Sequence, residues 1–474
     1  MLGLDKKQFA TVFTLMFATV VVVLNQTFLS PALPAIMADF KIESTTVQWL
    51  ASGYALVEAV VIPMSAYLMG RFSTRGLYFG TLSIFLAGSV LAAITPNFGL
   101  LLVGRMLQAT CTGALMPLAF TLTLLAFPRE RRGTAMGIVG LLIGFAPAVG
   151  PSLSGLLVDA IGWRILFWII AALAVLLLII GAIWLPNQEG FERVHFDGPS
   201  VVLSSIGLAS LLYGLSSFTS TSRPWISVAF IVVGIIIVLF YGRRQFKLEN
   251  PMLRVDILKT RRYRVSVVVN VINQAALMGM GVIIPVYIQN ILGLSALATG
   301  LIMLPGAILG GVCGLISGRL FDKFGVRKVA IPGIIVVVLG AIGHIGFNMH
   351  ASIPYVIFFY TFLGLGLQFT MPPVNTWGIN SLHNTMIQHA QSVSNTLNQV
   401  ANAFGTALLV SIFALGPFVN PGGTPLEQLS SGTVLTMIVM TCIVTVNMLI
   451  IIFLTKKKPG DVDLTDESQV RPVD

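Results

Sequence analysis

The sequence predicts an all-α integral membrane protein: fourteen transmembrane helices, arranged as two pseudo-symmetric six-helix halves with two helices inserted between them. Three observations carry this expectation. Of 474 residues, 56% are apolar and only 10% charged, where a soluble domain carries about 25% charged residues; mean hydropathy is +0.91. Fourteen runs each approach the roughly 20 apolar residues that cross a hydrocarbon core. Short motifs also recur at equivalent places in the earlier and later runs. Lipid offers no partner to backbone polar groups, and no run alternates like a barrel strand, so the spans should be helices.

The first run, 10–34, follows Lys6 and Lys7 and starts like a signal peptide, but it outruns an apolar signal core and reads as a retained span. Then come 46–70, 77–95, 99–126, 133–159 and 164–186, joined by short loops. Spans 199–219 and 225–242 form the inserted pair. After them, 243–263 sets Arg243, Arg244, Lys247, Arg254, Lys259, Arg261 and Arg262 around Met252, Leu253, Ile257 and Leu258. It reads as an amphipathic segment held at anionic headgroups. The later half holds 264–290, 296–318, 329–347, 353–377, 389–415 and 432–455, and the polar tail from Lys456 reads as disordered. The expected divisions are 1–186, 187–263, 264–455 and 456–474.

The net charge of +10 does not imply a nucleic-acid partner. Lys41, Arg164 and Arg223 fall on one side of the membrane and Arg105 within a span; the remaining Lys and Arg fall on the other side. That asymmetry places both termini in the cytoplasm. Cys111, Cys313 and Cys442 lie in apolar spans without a CxxC, and His195, His344, His350, His383 and His389 are scattered, so no disulfide framework or metal site is expected. A P-loop needs a Gly-Lys pair that the chain lacks, which argues against ATP-driven transport. No catalytic motif or paired intramembrane carboxylates suggest an enzyme.

Polar residues inside spans mark the candidate site. Glu58 sits in the middle of the second span, one turn after Tyr54. An ionised carboxylate is costly there, which suits a group that takes up and releases a proton. Arg105, with Gln108 one turn on, is a cation inside the fourth span; placed near the span's start, it could also snorkel to an interface. Gln391, Asn395, Asn398 and Asn402 share one helical face of the thirteenth span. With Asn25, Gln26, Asn273, Gln274, Gln368 and Asn375 they could line a cavity, walled by Tyr54, Met116, Met280, Tyr287, Phe369 and Trp377.

Three echoes support repeated halves: Asn25-Gln26 with Asn273-Gln274, Gly70-Arg71-Phe72 with Gly318-Arg319-Leu320 at the same offset, and Met116-Pro117 with Met371-Pro372. Repeated halves around a midplane site are a common plan of secondary transporters. The stretch Gly318-Arg-Leu-Phe-Asp322-Lys323-Phe-Gly325-Val-Arg327-Lys328 resembles the loop signature of the major facilitator superfamily. In the copy after span 2, Thr74 stands where that family usually has Asp. Span 5 carries Gly144, Pro147, Gly150, Pro151 and Gly155 in an order that looks like the antiporter motif of drug-exporting members. Span 10 offers a small-residue ridge of Gly306, Gly310, Gly314 and Gly318, expected to slide on span 5. Arg105-x-x-Gln108 resembles a span-4 motif of the family, with Ala109 in place of Gly.

Leu24-Asn25-Gln26-Thr27-Phe28-Leu29 followed by Ala32-Leu33-Pro34 is similar to span 1 of the fourteen-span drug:proton branch, in its lincomycin-resistance-type form; quaternary-ammonium-type exporters are also related. Asn25 stands where many members have Asp, which moves proton coupling to Glu58. The resemblance covers about 10–455. It implies a proton-coupled multidrug efflux antiporter that moves lipophilic cationic molecules by alternating access. It further implies no cofactor, a monomer, and a bacterial plasma membrane location. A proton-coupled or facilitative transporter of a specific small metabolite or peptide-like solute is the alternative, which the antiporter-like span 5 disfavours.

Overall fold

The computed structural model describes residues 5–186, 197–218, 224–248 and 251–455. His195, Arg223 and the tail from 456, named above, lie outside the described residues, as do the side chains at 143–149, 151, 152 and 159. Fourteen long helices follow in order: α1 Lys6–Thr27, α2 Trp49–Arg71, α3 Thr74–Ile94, α4 Phe98–Ala126, α5 Arg132–Ile161, α6 Arg164–Trp184, α7 Gly198–Ser217 and α8 Pro224–Lys247. Then come α9 Arg261–Val286, α10 Ala296–Phe324, α11 Val326–His344, α12 Ile353–Ile379, α13 Ile387–Phe413 and α14 Pro425–Leu454. Thirteen of these segments are apolar and long enough to cross a membrane among the described residues, and α5, with 30 residues, occupies the remaining place. The chain is an all-α, multi-pass membrane protein.

Local chemistry sets the helix ends. Asp5 caps α1 with Gln8 reciprocating, and Ser73, Asn97 and Ser295 accept from first-turn N–H groups of α3, α4 and α10. Such caps satisfy donors that have no partner inside the helix. Three boundaries differ from the sequence expectation. Span 1 breaks after Thr27, and the chain re-enters a short helix, Leu33–Phe40, because Pro31 and Pro34 cannot donate into a continuing ladder. Helix α14 starts at Pro425, seven residues before the expected 432, where Thr424 and Glu427 form a capping box. Helix α10 runs on to Phe324, so Gly318–Asp322 is its last turns rather than a loop; Gly325, at φ 77°, ends it.

Two apolar cores organise the bundle. One gathers α1 to α6 around Leu15, Leu82, Phe85 and Leu118. The other gathers α9 to α12 and α14 around Ile284, Ile334, Val337 and Met437. The basic residues Arg71, Arg129, Arg132, Arg254, Arg319 and Lys328 mark one end of the bundle, the basic end; Lys41 and Arg164 mark the far end. Helices α7 and α8 pack on each other, and α7 also touches α2 and α13. The outer face of α8 keeps Ile236, Leu239 and Phe240 exposed, as suits a face meeting acyl chains.

The segment between α8 and α9 corrects one expectation. Met252 and Ile257 are fully buried and Leu253 nearly so, with Leu253 and Ile257 in the first core. The apolar side of this amphipathic stretch is spent on protein and is not free to enter the headgroup layer.

Candidate functional site

A buried polar cluster occupies the middle of the first half. Arg105, only 1% exposed, donates from Nη1 to Gln108 Oε1 at 2.9 Å, Asn25 Oδ1 at 3.2 Å and the Asn25 carbonyl at 3.4 Å. It does not snorkel. Asn25 Nδ2 also donates to Gln108 Oε1 at 3.2 Å, and Gln108 Nε2 donates to Ser89 Oγ at 2.8 Å. Tyr54 lays its ring against the guanidinium, 4.5 Å from the centroid, and its hydroxyl bonds Thr112. Amide and carbonyl oxygens therefore replace a carboxylate as the cation's partners, a neutral solution to a buried charge.

Glu58 is 4% exposed, one turn beyond Tyr54 on α2. Gln26 Nε2 donates to its Oε2 at 3.4 Å, and the Gln399 side chain of α13 stands opposite it. Among the described residues no ion pair joins Glu58 to Arg105; Tyr54 lies beside both. A carboxyl so enclosed meets one helix of the first half and one of the second. Gln399, four residues on from Asn395 and accepting from Asn402 Nδ2 at 3.0 Å, lies at the edge of the polar stripe, so the stripe itself was the signal that could have found it.

The other expected site residues separate. Asn398 lines a cavity of about 130 Å³ between the halves, together with Asn375, Asn270, Ser394, Met371 and Met136. Asn395 is half-buried on the same stretch of α13. Gln274 turns to α13, donating to Asn402 Oδ1 at 2.9 Å. Gln368 lies in the seam between α5 and α10, close to Gly140, Gly310 and Gly314. Asn273 departs from the expected cavity lining: it is fully buried and accepts from Asn447 Nδ2 at 2.8 Å, so it joins α9 to α14. Met116 packs half-buried against the first core.

Two seams join the halves. Helices α5 and α10 approach closely enough that a Cβ on Gly318 would overlap the Gly133 carbonyl, and one on Gly137 would stand 2.6 Å from the Gly314 carbonyl oxygen. The α10 ridge thus meets α5 as expected at Gly314 and Gly318, but through Gly133 and Gly137, a part of α5 that precedes the antiporter-like motif. Gly150 and Gly155 instead face Thr27 and Pro31 of the first span, while Gly306 faces Tyr360 of α12. Helical period explains this correction: 13 residues on from Gly137, Gly150 is turned about 140° away. Gly144, Pro147 and Pro151 lie among the positions outside the described side chains.

The basic end of this seam is latched. Asp322 accepts from the Gly133 N–H at 2.8 Å, the Thr134 N–H at 2.7 Å and the Thr134 hydroxyl at 2.6 Å. A carboxylate at a helix N-terminus meets free N–H groups and the positive end of the dipole. Arg132 adds Asn380 at 3.3 Å and Asn384 at 2.8 Å, and Arg129 reaches the Leu382 carbonyl at 3.3 Å. Arg327 is exposed at the start of α11. At the second seam, α2 meets α13 through the Ser65 and Ser392 hydroxyls, 2.7 Å apart. Thr74, the residue in the family's Asp position, is buried at the start of α3 and makes no equivalent charged latch.

Two helical sets, a polar layer enclosed between them and paired seams define a membrane transporter, and known proteins bear this out. The family model described as Major Facilitator Superfamily matches residues 15–406. The MFS-type transporter YcnB of Bacillus subtilis is 41% identical over 397 residues, covering 83% of this chain and 84% of its own. The lincomycin resistance protein LmrB of the same organism is 34% identical over 406 residues, 85% of each chain. A crystal structure of a XylE double-Trp mutant aligns with a TM-score of 0.67 at 14% identity, over 98% of this chain and 99% of that one, and so supports the fold. The chain belongs to the major facilitator superfamily.

Proposed function

We propose that this transporter is a proton-coupled exporter of lipophilic small molecules, cations among them, working by alternating access in a bacterial plasma membrane with both termini cytoplasmic. The observation that carries the reading is Glu58, enclosed between Gln26 and Gln399 without a cationic partner among the described residues. An ionised carboxylate at this depth costs at least about 2.5 kcal/mol on insertion scales. Such a group is neutral until a cation or water reaches it, and it can exchange a proton for a positively charged cargo. Two ligands that each favour one protonation state are linked and exchange across the cycle. The similarity to a lincomycin resistance protein supports the drug-export class, and the excess of Lys and Arg at one end supports the orientation.

The test is transport by purified protein in liposomes under an imposed pH gradient, with cationic, neutral and anionic compounds in parallel. Accumulation of cations that collapses with the gradient is the expected result. Glu58→Gln should lose accumulation yet retain substrate exchange, and Glu58→Asp should keep partial coupling with a shifted pH optimum. Undiminished pumping by Glu58→Gln would move coupling to another group, and Asp159, the acidic residue in the last turn of α5, would be the next carboxylate to replace.

A further inference from the structure

Helices α2 and α13 touch near the basic end, at Ser65 and Ser392. Seven residues farther along each helix, about 10 Å on at the α-helical rise, stand Glu58 and Gln399, opposite one another. Beyond that level the flank of the two helices is occupied by α7. Trp49 of α2 stacks on Tyr213 with ring centroids 5.9 Å apart, and Tyr213 in turn meets Phe230 of α8 edge-on at 4.9 Å. On the other side, Ala407 of α13 packs with Leu211 and Leu215, flanked by Val400 and Ala403. Val400 is the residue next to Gln399. One inserted helix thus bridges a helix of each half, and on α13 its contact reaches the residue beside Gln399.

The remaining faces of α7 fit this placement. Gly207 and Gly214 let α8 approach, since a Cβ on either would press on Ile231, Ile237 or Val238. Leu208 and Leu212 lie round the helix from that contact and are still only 4% and 5% exposed. Glu58 lies nine residues from Trp49. Counting nine back from Tyr213 on the oppositely directed α7 reaches Ser204, so Leu208 stands about 6 Å and Leu212 about 12 Å from the carboxyl's depth, toward the far end.

We propose that α7 is the lipid-excluding wall of the Glu58 site, with Leu208 and Leu212 closing the gap between α2 and α13 against acyl chains. The carboxyl then meets protons and cargo only from the space between the halves, and a bilayer-dissolved molecule has no side entrance on this flank. The part this plays in coupling rests on the reading of Glu58 given above; the shielding does not.

Carbodiimides test it, because they modify protonated carboxyls and differ in the phase from which they arrive. In protein reconstituted into phosphatidylcholine vesicles, lipid-soluble dicyclohexylcarbodiimide should label Glu58 slowly, read by mass spectrometry of the Glu58 peptide. Leu208→Ala with Leu212→Ala should raise that rate about tenfold while leaving labelling by a water-soluble carbodiimide unchanged. Leu208→Met with Leu212→Met, which keeps the bulk, should restore the parental rate. Equal labelling of parent and double-Ala protein by the lipid-soluble reagent would overturn the wall. Faster labelling of the double-Ala protein, in a chain whose Glu58→Gln variant still pumps, would keep the wall and discard Glu58 as the coupling group.

Discussion

Asp322 and Thr134, 188 residues apart in the chain, are joined by two hydrogen bonds, at 2.7 Å from the Thr134 N–H and 2.6 Å from its hydroxyl. They tie the end of α10 to the beginning of α5 and hold the basic end shut. Hydrogen bonds to charged groups contribute about 1.5–3 kcal/mol each. Asp322→Ala should therefore shift the balance of states toward an open basic end by roughly tenfold or more. Spin labels at Arg71 and Lys328, one on each half, would report this as a longer distance; an unchanged distribution would show that Asp322 is no latch.

Gly318 has no room for a side chain. A Cβ there overlaps the Gly133 carbonyl, and overpacking typically costs about 1–3 kcal/mol. Gly318→Leu should insert into the membrane yet turn over poorly, because the seam can no longer close. Gly281, where an added Cβ meets nothing within 4 Å, is the control, and Gly281→Ala should transport like the parent.

Arg105 should prove necessary for folding before it proves necessary for transport. Its removal leaves Asn25 and Gln108, both buried, short of a donor, at about 1–3 kcal/mol. Arg105→Met should lower the melting temperature of the purified protein. Arg105→Lys should rescue little of it, since a compact ammonium cannot keep the planar stacking on Tyr54 while it reaches Asn25 and Gln108.

The Asp197–Arg244 pair joins the start of α7 to the end of α8 through two bonds of 3.0 Å. Arg244 holds the Asp197 carboxyl below its ordinary range, with Ser200 adding to the effect against a smaller opposing push from burial. A carboxyl whose folded pKa is depressed contributes stability that is complete above the ordinary value of about 4 and fades as pH falls through the depressed one. Parent protein should lose melting temperature on acidification in that range, and Asp197→Asn should lose less. Between neutral and mildly acid pH the two curves should run parallel.

Much of the architecture was legible because lipid imposes so strict a length and apolarity on each crossing. Glu58, Arg105 and Gln108 stood out for the same reason: a polar group in an apolar run is conspicuous. Partnerships were harder to see. Asn273 looked like its counterpart Asn25, yet Asn447, from an unremarkable run, claims it. Gly133 and Gly137 lie in the first turns of the expected span, ahead of the glycine motif that drew attention, so their contact with α10 was hidden. The stretch around Met252 and Ile257 was misread because an amphipathic pattern says that one side is apolar and leaves open whether lipid or protein covers it.

The inserted hairpin also has a consequence of parity. A chain that crosses a bilayer once more arrives on the opposite face; crossing twice more returns it to the face it left. Because α7 and α8 come as a pair, α9 enters from the same face as α1, and the later six helices keep the sense of the earlier six. A single insertion would have inverted the second set and carried Asp322 to the opposite face from Gly133 and Thr134. Any gain or loss of helices at this junction must therefore come in twos if those residues are still to meet.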